Sequence, residues 1–313
     1  MRKRLAGVVT LCVLLVGAGY FAAYSRYKNP DTKQSSAPSY AAYPLLAKRL
    51  FIDEPNDVII RFSELRKDLN AYFEEHGLTK GTLYFEYLPT GTAIRINGDD
   101  REIAASLMKT PSAMDLYRLA ELGKVNLDAP ITLKSEWLDD EFGTLYKKGA
   151  GYQLTLREAT KIMLEQSDNT ALNAITDAIT GKRSVDDSVL RAVDVDYQQN
   201  PDLTVSINAR SYSSFLTCLY FSCYVNHEHS QELLDYLSHT DFPDRIVAGI
   251  PDASVQVAHK IGVANDSQSD CGIVYVPKRN YVLCVMLHLP ATTDTDDRIA
   301  EISRKVYDFV TSK

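Results

Sequence analysis

Five cysteines in 313 residues are too few to build a disulfide scaffold. Cys12 lies in an apolar run near the N-terminus. Cys218 and Cys223 are five apart in a segment that reads as helix, which places them on different faces, so no bond between them is expected. Cys271 and Cys284 fall on two adjacent expected strands and could approach, but buried thiols are the preferred reading for all four. No Cys/His spacing suggests zinc, and two ligands such as His227 and His229 do not close a metal site. No metal or cofactor is expected. Basic charge is scarce as well. Residues 1–28 hold Arg2, Lys3, Arg4, Arg26 and Lys28 and no acid, whereas the remainder sets 29 basic against 41 acidic residues. An acidic body argues against nucleic acid as a partner. There is no internal repeat.

The one long uncharged run is Leu5 to Tyr24, directly behind Arg2-Lys3-Arg4. Twenty apolar residues suffice to span a bilayer. The basic flank stays inside, which puts the rest of the chain outside the cytoplasm. A cleaved signal peptide would need a small-residue site, and Gly17-Ala18-Gly19 and Phe21-Ala22-Ala23 are both marginal. The expectation is therefore a single-pass anchor over residues 1–24, with a secreted protein as the outcome if it is cleaved. Residues 25–44 are rich in Ser, Pro, Ala and Tyr and read as a tether. Residues 45–313 form the body, expected to be monomeric and, at 45% hydrophobic residues overall, ordinary for a globular protein.

Within the body, Ile60 to His76 has helical periodicity and Gly77 as its stop. Two β-rich runs, Gly81–Leu88 and Thr92–Asn97, flank Pro89-Thr90-Gly91 and read as a hairpin. Residues 106–122, 155–166 and 169–180 read as helices, and Asn208 to Leu237 holds one or two more. Three strands follow, at Val255–Gly262, Cys271–Val276 and Tyr281–Leu289, then an amphipathic helix from Asp296 to Val310. That order implies an α+β fold: one antiparallel five-stranded sheet built from both ends of the chain, flanked by helices, with a helical subdomain inserted between.

Three short signals carry chemistry. Ser106-Leu107-Met108-Lys109 opens a helix, and positions i and i+3 share a face, so the hydroxyl and the amine can meet. A lysine in a dry pocket can lose its charge and take the serine's proton. Alone the tetrad is weak; Ser25-Arg26-Tyr27-Lys28 repeats it with no helix to organise it, and an N-cap role would equally explain Ser106. Ser167-Asp168-Asn169 sits between two helices, where helix capping is the plain explanation. Lys260-Ile261-Gly262 ends an alternating strand that puts Lys260 on the polar face, as an edge-strand lysine would be. Gly262 would let a ligand approach the backbone.

The three occur in the order Ser-x-x-Lys, Ser-Asp-Asn, Lys-x-Gly, separated by 61 and 93 residues. Together they resemble the serine β-lactamase and penicillin-binding protein superfamily, and the class A β-lactamases most closely. The segment from Gln153-Leu-Thr-Leu-Arg-Glu-Ala to Ser167-Asp-Asn-Thr-Ala is also similar to that family's. The resemblance covers about Ile60 to Lys313. It implies an acyl-enzyme on Ser106, with Lys109 taking the proton directly or through water. Ser167 would relay a proton to the leaving nitrogen, and Asn169 would orient Lys109 and the substrate's side-chain amide. Lys260 would supply positive field for a substrate carboxylate. The amides of Ser106 and Val263 would form the oxyanion hole, and Asp168 would be structural. The implied substrate is a β-lactam or a peptidoglycan stem peptide ending in D-Ala-D-Ala.

Two departures qualify the resemblance. The family's loop Glu, which activates the deacylating water, is matched here by Asn200 in Asn200-Pro201-Asp202-Leu203-Thr204. An amide cannot act as a general base, and Asp202 is the one nearby carboxylate that could substitute, a turn role beside Pro201 being the alternative. Ile261 stands where the family has Thr or Ser, which removes a hydroxyl from carboxylate binding, and Arg279 is too far along the chain to compensate. Acylation with slow deacylation is therefore expected. An efficient β-lactamase using a substitute base and a non-catalytic surface sensor are the alternatives.

Overall fold

The computed structural model describes residues 44–45, 61–182 and 188–312. The expected anchor, and the expected tether apart from Pro44, lie outside the described residues. Among the described residues no helix is long and apolar enough to cross a membrane.

In chain order the strands are β1 (Gly81–Tyr87), β2 (Thr92–Ile96), β3 (Glu102–Ile103), β4 (Pro130–Thr132), β5 (Gln153–Thr155), β6 (Tyr197–Gln199), β7 (Val205–Ile207), β8 (Val257–Val263), β9 (Gln268–Val274) and β10 (Tyr281–Leu287). The helices are α1 (Ser63–Glu75), α2 (Lys109–Glu121), α3 (Leu156–Glu165), α4 (Asn169–Ile179), α5 (Val189–Ala192), α6 (Ala209–Phe221), α7 (His227–Ser238) and α8 (Thr293–Ser312). Five strands form one antiparallel sheet in the order β2-β1-β10-β9-β8. The N-terminal hairpin thus pairs with the last strand, Phe85 opposite Leu283, and both chain ends share one sheet.

The sheet is covered on both faces. On one face, Leu65, Leu69, Tyr72 and Phe73 of α1 and Ile299, Ile302, Val306 and Val310 of α8 pack on Leu83, Phe85, Leu283 and Val285. These spacings are the i, i+3/i+4, i+7 stripes that bury one side of a helix. On the other face, Ala258, Ile273, Val282 and Met286 meet the inserted helices through residues such as Met114, Tyr212, Phe215 and Leu234. Two short ribbons, β3-β7-β6 and β4-β5, lie among those helices. Both were too short to show a period in the sequence.

The second strand of the C-terminal trio begins at Gln268, earlier than its apolar run suggests. Gln268, Ser269 and Asp270 are polar yet wholly buried, because Arg245 and His259 use their oxygens. Both cysteine expectations are overturned: Cys218 bonds Cys223 and Cys271 bonds Cys284. The first pairing escapes the helical-face argument because α6 stops at Phe221, and Ser222, in the left-handed region (φ 55°), turns Cys223 back onto the helix end. The second pair are direct cross-strand partners on β9 and β10.

Candidate active site

Ser106 sits in a tight 3-10 turn, Ala105–Met108, that runs straight into α2. Ala105, just before it, holds φ 45°, a left-handed conformation that costs a non-glycine residue energy and turns the chain sharply. Lys109, one helical turn on, places its Nζ 2.9 Å from Ser106 Oγ. The same ammonium donates to Asn169 Oδ1 (2.8 Å), to the carbonyl of Ser167 (2.5 Å) and, at 3.2 Å, to Ser167 Oγ.

Ser167 also has a left-handed backbone (φ 55°), in the break between α3 and α4. Asp168 holds this break in place. Its Oδ1 caps α4 by accepting from the Ala171 amide (2.8 Å), and its Oδ2 accepts from the amides of Thr144 (2.7 Å) and Leu145 (2.8 Å). Gly143 is required there: a Cβ would lie 2.1 Å from Asp168 Oδ2, and its φ is +92°.

Lys260 lies on β8, which is an edge strand, yet it is not on an exposed polar face. It is wholly buried, because the inserted helices cover that face of the sheet. Its Nζ donates to Ser167 Oγ (2.8 Å) and to the Ile261 carbonyl (3.2 Å). Ser167 Oγ thus lies between two lysines, and a line of polar atoms runs from Ser106 through Lys109 and Ser167 to Lys260.

Burial tunes both amines. The Lys109 ammonium is pushed down to about 8 by burial, against the opposing pull of the Asp168 and Asp139 charges. Burial, followed by the nearby Lys109 charge, drives Lys260 well below the ordinary lysine range. Two phenyl rings contribute to this dryness: Phe142 lies 6.0 Å from Lys109 Nζ and Phe242 lies 5.5 Å from Lys260 Nζ, ring centre to nitrogen. Neither ring was foreseen, since an isolated Phe in a polar loop carries no sequence signal.

Gly262 acts differently from the expectation. A Cβ there would meet Ser269 Oγ at 2.5 Å and the Ala104 carbonyl at 2.7 Å. The close approach it permits is that of the Ser106 turn onto β8, not of a ligand. Val263, next on the strand, is 40% exposed and lines the cleft with Ile261, Ser106, Ser167 and Asn169. The pair of residues expected to supply the oxyanion hole therefore face one cleft. On the other face of β8, His259 is buried between Asp270 Oδ1 (2.9 Å) and Thr240 Oγ1 (2.6 Å).

Asp202 is not among the residues that line the cleft. Residues 200–204 are the turn of the β6-β7 hairpin, and Asp202 is exposed there, accepting from the Thr204 hydroxyl (2.7 Å) and amide (3.1 Å). Those bonds hold its carboxyl below the usual range. The turn role, not the substitute-base role, describes it. Asn200 spends its amide on Thr204 Oγ1 and Ser206 Oγ, both at 2.9 Å. Arg279 donates to the Val310 carbonyl (2.7 Å), away from the cleft. Arg245 is buried beneath β8 and committed to Asp296 Oδ1 (2.6 Å) and the Ser269 carbonyl (2.8 Å).

The sequence reading missed the loop Asp139–Phe142. Asp139 Oδ1 accepts from Asn169 Nδ2 (3.1 Å) and from the Glu141 amide (3.0 Å), so it orients the Asn169 side chain and shapes the loop. Glu141 and Phe142 form a wall of the cleft.

Known proteins share this arrangement of chain. The model of the beta-lactamase enzyme family matches residues 64–310. Beta-lactamase CARB-3 of Pseudomonas aeruginosa is 23% identical over 232 residues, covering 69% of this chain and 80% of that protein. Among solved structures, PBP-A superposes with a TM-score of 0.73 at 22% identity, over 82% of this chain and 100% of its own. A β-lactamase from Sphaerobacter thermophilus superposes with a TM-score of 0.71 at 21% identity, over 81% and 99%.

Proposed function

The chain belongs to the beta-lactamase enzyme family, as a class A β-lactamase-like serine hydrolase, and from that premise we propose that it forms a long-lived acyl-enzyme on Ser106 with β-lactams or D-Ala-D-Ala-type peptides. The observation that carries this reading is the 2.9 Å contact between Lys109 Nζ and Ser106 Oγ, beside a Ser167 hydroxyl held 2.8 Å from Lys260 Nζ. The neutral Lys109 amine takes the Ser106 proton as Oγ bonds to the substrate's carbonyl carbon. The proton then passes through Ser167 Oγ to the leaving nitrogen as the C–N bond breaks. Amide donors facing the carbonyl oxygen typically contribute about 10²–10³ in rate each.

The slow step of the proposal is deacylation. A bound water needs a base, and Asn200, whose amide is spent inside its own turn, supplies none. Missing general-base catalysis typically costs about 10²–10⁴. The apolar run Leu5–Tyr24 behind three basic residues supports placing the body outside the cytoplasm on a single-pass anchor. A mutant of PBP-A, one of the structural neighbours, was solved as its acyl-enzyme complex with penicillin G.

The test is intact-mass spectrometry after incubation with a penicillin, followed over hours, with Ser106→Ala as control. A stable adduct on the wild type alone is expected. An adduct that forms and clears within seconds would overturn slow deacylation and favour an efficient β-lactamase. No adduct with any penicillin or peptide ester would overturn the acyl-enzyme itself.

A further inference from the structure

One stripe of α6 that faces the large sheet is not apolar throughout. Arg210, Ser214, Thr217 and Phe221 recur at the spacing of a single helix face, and Tyr84 and Glu86, two apart on β1, share the strand face opposite. Side chains this mixed do not close the gap between helix and strand. A cavity of about 280 Å³ lies there, with the Cys218–Cys223 bond in its wall. Its volume is close to the lower end of the roughly 300–1,000 Å³ usual for small-molecule sites. It exceeds the cleft over Ser106, about 200 Å³, and shares no lining residue with it.

Three polar groups of this cavity stand out. Ser213 and Ser214 return their hydroxyls to carbonyls one helical turn back, at 2.7 and 3.4 Å. Thr217 does not: its Oγ1 is shielded from solvent and has no hydrogen-bond partner among the described residues. A shielded hydroxyl without a partner is uncommon in a folded chain and calls for one. The Arg210 guanidinium makes no hydrogen bond or ion pair among the described residues, and it sits in the first turn of α6, where the helix dipole disfavours a cation. An anion beside it would offset both. Glu86 presents a carboxylate from the β1 side, with the Tyr84 hydroxyl donating to one of its oxygens (3.0 Å). Tyr84 lies within the field of both charges: burial and then Glu86 push its phenol up to about 12, while Arg95 and Arg210 pull it down.

A cation, an anion, an unpaired hydroxyl and an apolar wall in one small cavity fit a small zwitterion. We infer that this cavity binds a free α-amino acid with an apolar side chain, its carboxylate on Arg210 and the Thr217 hydroxyl, its ammonium on Glu86, and its side chain against Phe221 and the Cys218–Cys223 bond. A guanidinium meets a carboxylate through two parallel N–H donors, which fixes the orientation of the ligand. The site is separate from Ser106, and the inference does not rest on acylation there.

The experiment is a ligand-observed NMR titration of the full-length protein at about pH 6.5, where both charges of an amino acid are present, with three probes that share one side chain. L-leucine carries both charges, leucine methyl ester only the positive one, and N-acetyl-leucine only the negative one. Leucine should bind with a Kd of about 1 mM, and each single-charge analogue about tenfold more weakly. Arg210→Gln and Glu86→Gln should each weaken leucine about tenfold, and Thr217→Val, which keeps the shape and removes the hydroxyl, about fivefold. Circular dichroism checks that the variants fold, and the conservative Thr217→Val keeps the test open if a charge variant does not. Ser106→Ala should bind leucine as the wild type does, because the two cavities are distinct. No binding of leucine at about ten times that Kd would overturn the site. Equal binding of the three probes, or leucine binding unchanged in Arg210→Gln, would overturn its recognition of a zwitterion. Binding lost in Ser106→Ala would place the ligand in the other cleft and overturn the assignment.

Discussion

If Lys109 is the base for acylation, the rate must follow the fraction of Lys109 that is neutral. Burial pushes its ammonium down to about 8. The neutral fraction is then about 1% at pH 6, about 10% at pH 7 and about 90% at pH 9. Acylation should therefore rise close to a hundredfold from pH 6 to pH 9, with its midpoint near 8, where an ordinary lysine would still be rising steeply at pH 9. The sign follows from the proton: the acid form cannot accept the Ser106 hydrogen, so activity is lost as pH falls through the shifted value. Lys109→Arg keeps a charged group that does not lose its proton in this range and should abolish the rise; Lys109→Met should lower acylation by about 10²–10⁴. The assay is the second-order rate of Ser106 acylation by a neutral-side-chain penicillin, by stopped flow or quenched mass spectrometry, at half-unit pH steps. A profile that is flat from pH 6 to 9, or a Lys109→Met protein that is folded and acylates at the wild-type rate, would refute this assignment.

Three further outcomes follow from the geometry. Gly143→Ala places a methyl 2.1 Å from Asp168 Oδ2 at a positive φ, so it should lower stability by about 3 kcal/mol in urea unfolding and slow acylation, because Asp168 holds the turn between Ser167 and Asn169. Asp202→Asn should leave the lifetime of the acyl-enzyme unchanged, as read by adduct decay; a lifetime lengthened tenfold would restore Asp202 as a base. Replacing Cys271 and Cys284 together by Ala should cost about 3 kcal/mol in urea unfolding from the loss of a cross-link over 13 residues, with little change for the wild type once it is fully reduced and compared with the variant.

Local physics made part of this protein legible in its sequence. Ser106 and Lys109 meet because one helical turn separates them, so no distant contact is needed to bring the hydroxyl and the amine together. The stripes of α1 and α8 and the hairpin at Pro89-Thr90-Gly91 are likewise properties of short segments.

Other features depend on what the chain brings together from far away. Ser167 and Lys260 are 93 residues apart and meet only because the inserted helices close over β8; the same closure buries Lys260, which the alternation of its strand had assigned to a polar face. The Cys218–Cys223 bond depends on one left-handed residue that ends a helix, a conformation no hydrophobic period encodes. Asp139, Glu141 and Phe142 belong to a polar loop whose position is set by a bond to Asn169, 30 residues on. Sequence alone determined which reactive groups exist and which neighbours along a helix could pair. The burial that lowers the Lys109 ammonium, and the Glu141–Phe142 wall of the cleft, were decided by tertiary packing, because desolvation and field arise from atoms close in space whatever their distance along the chain.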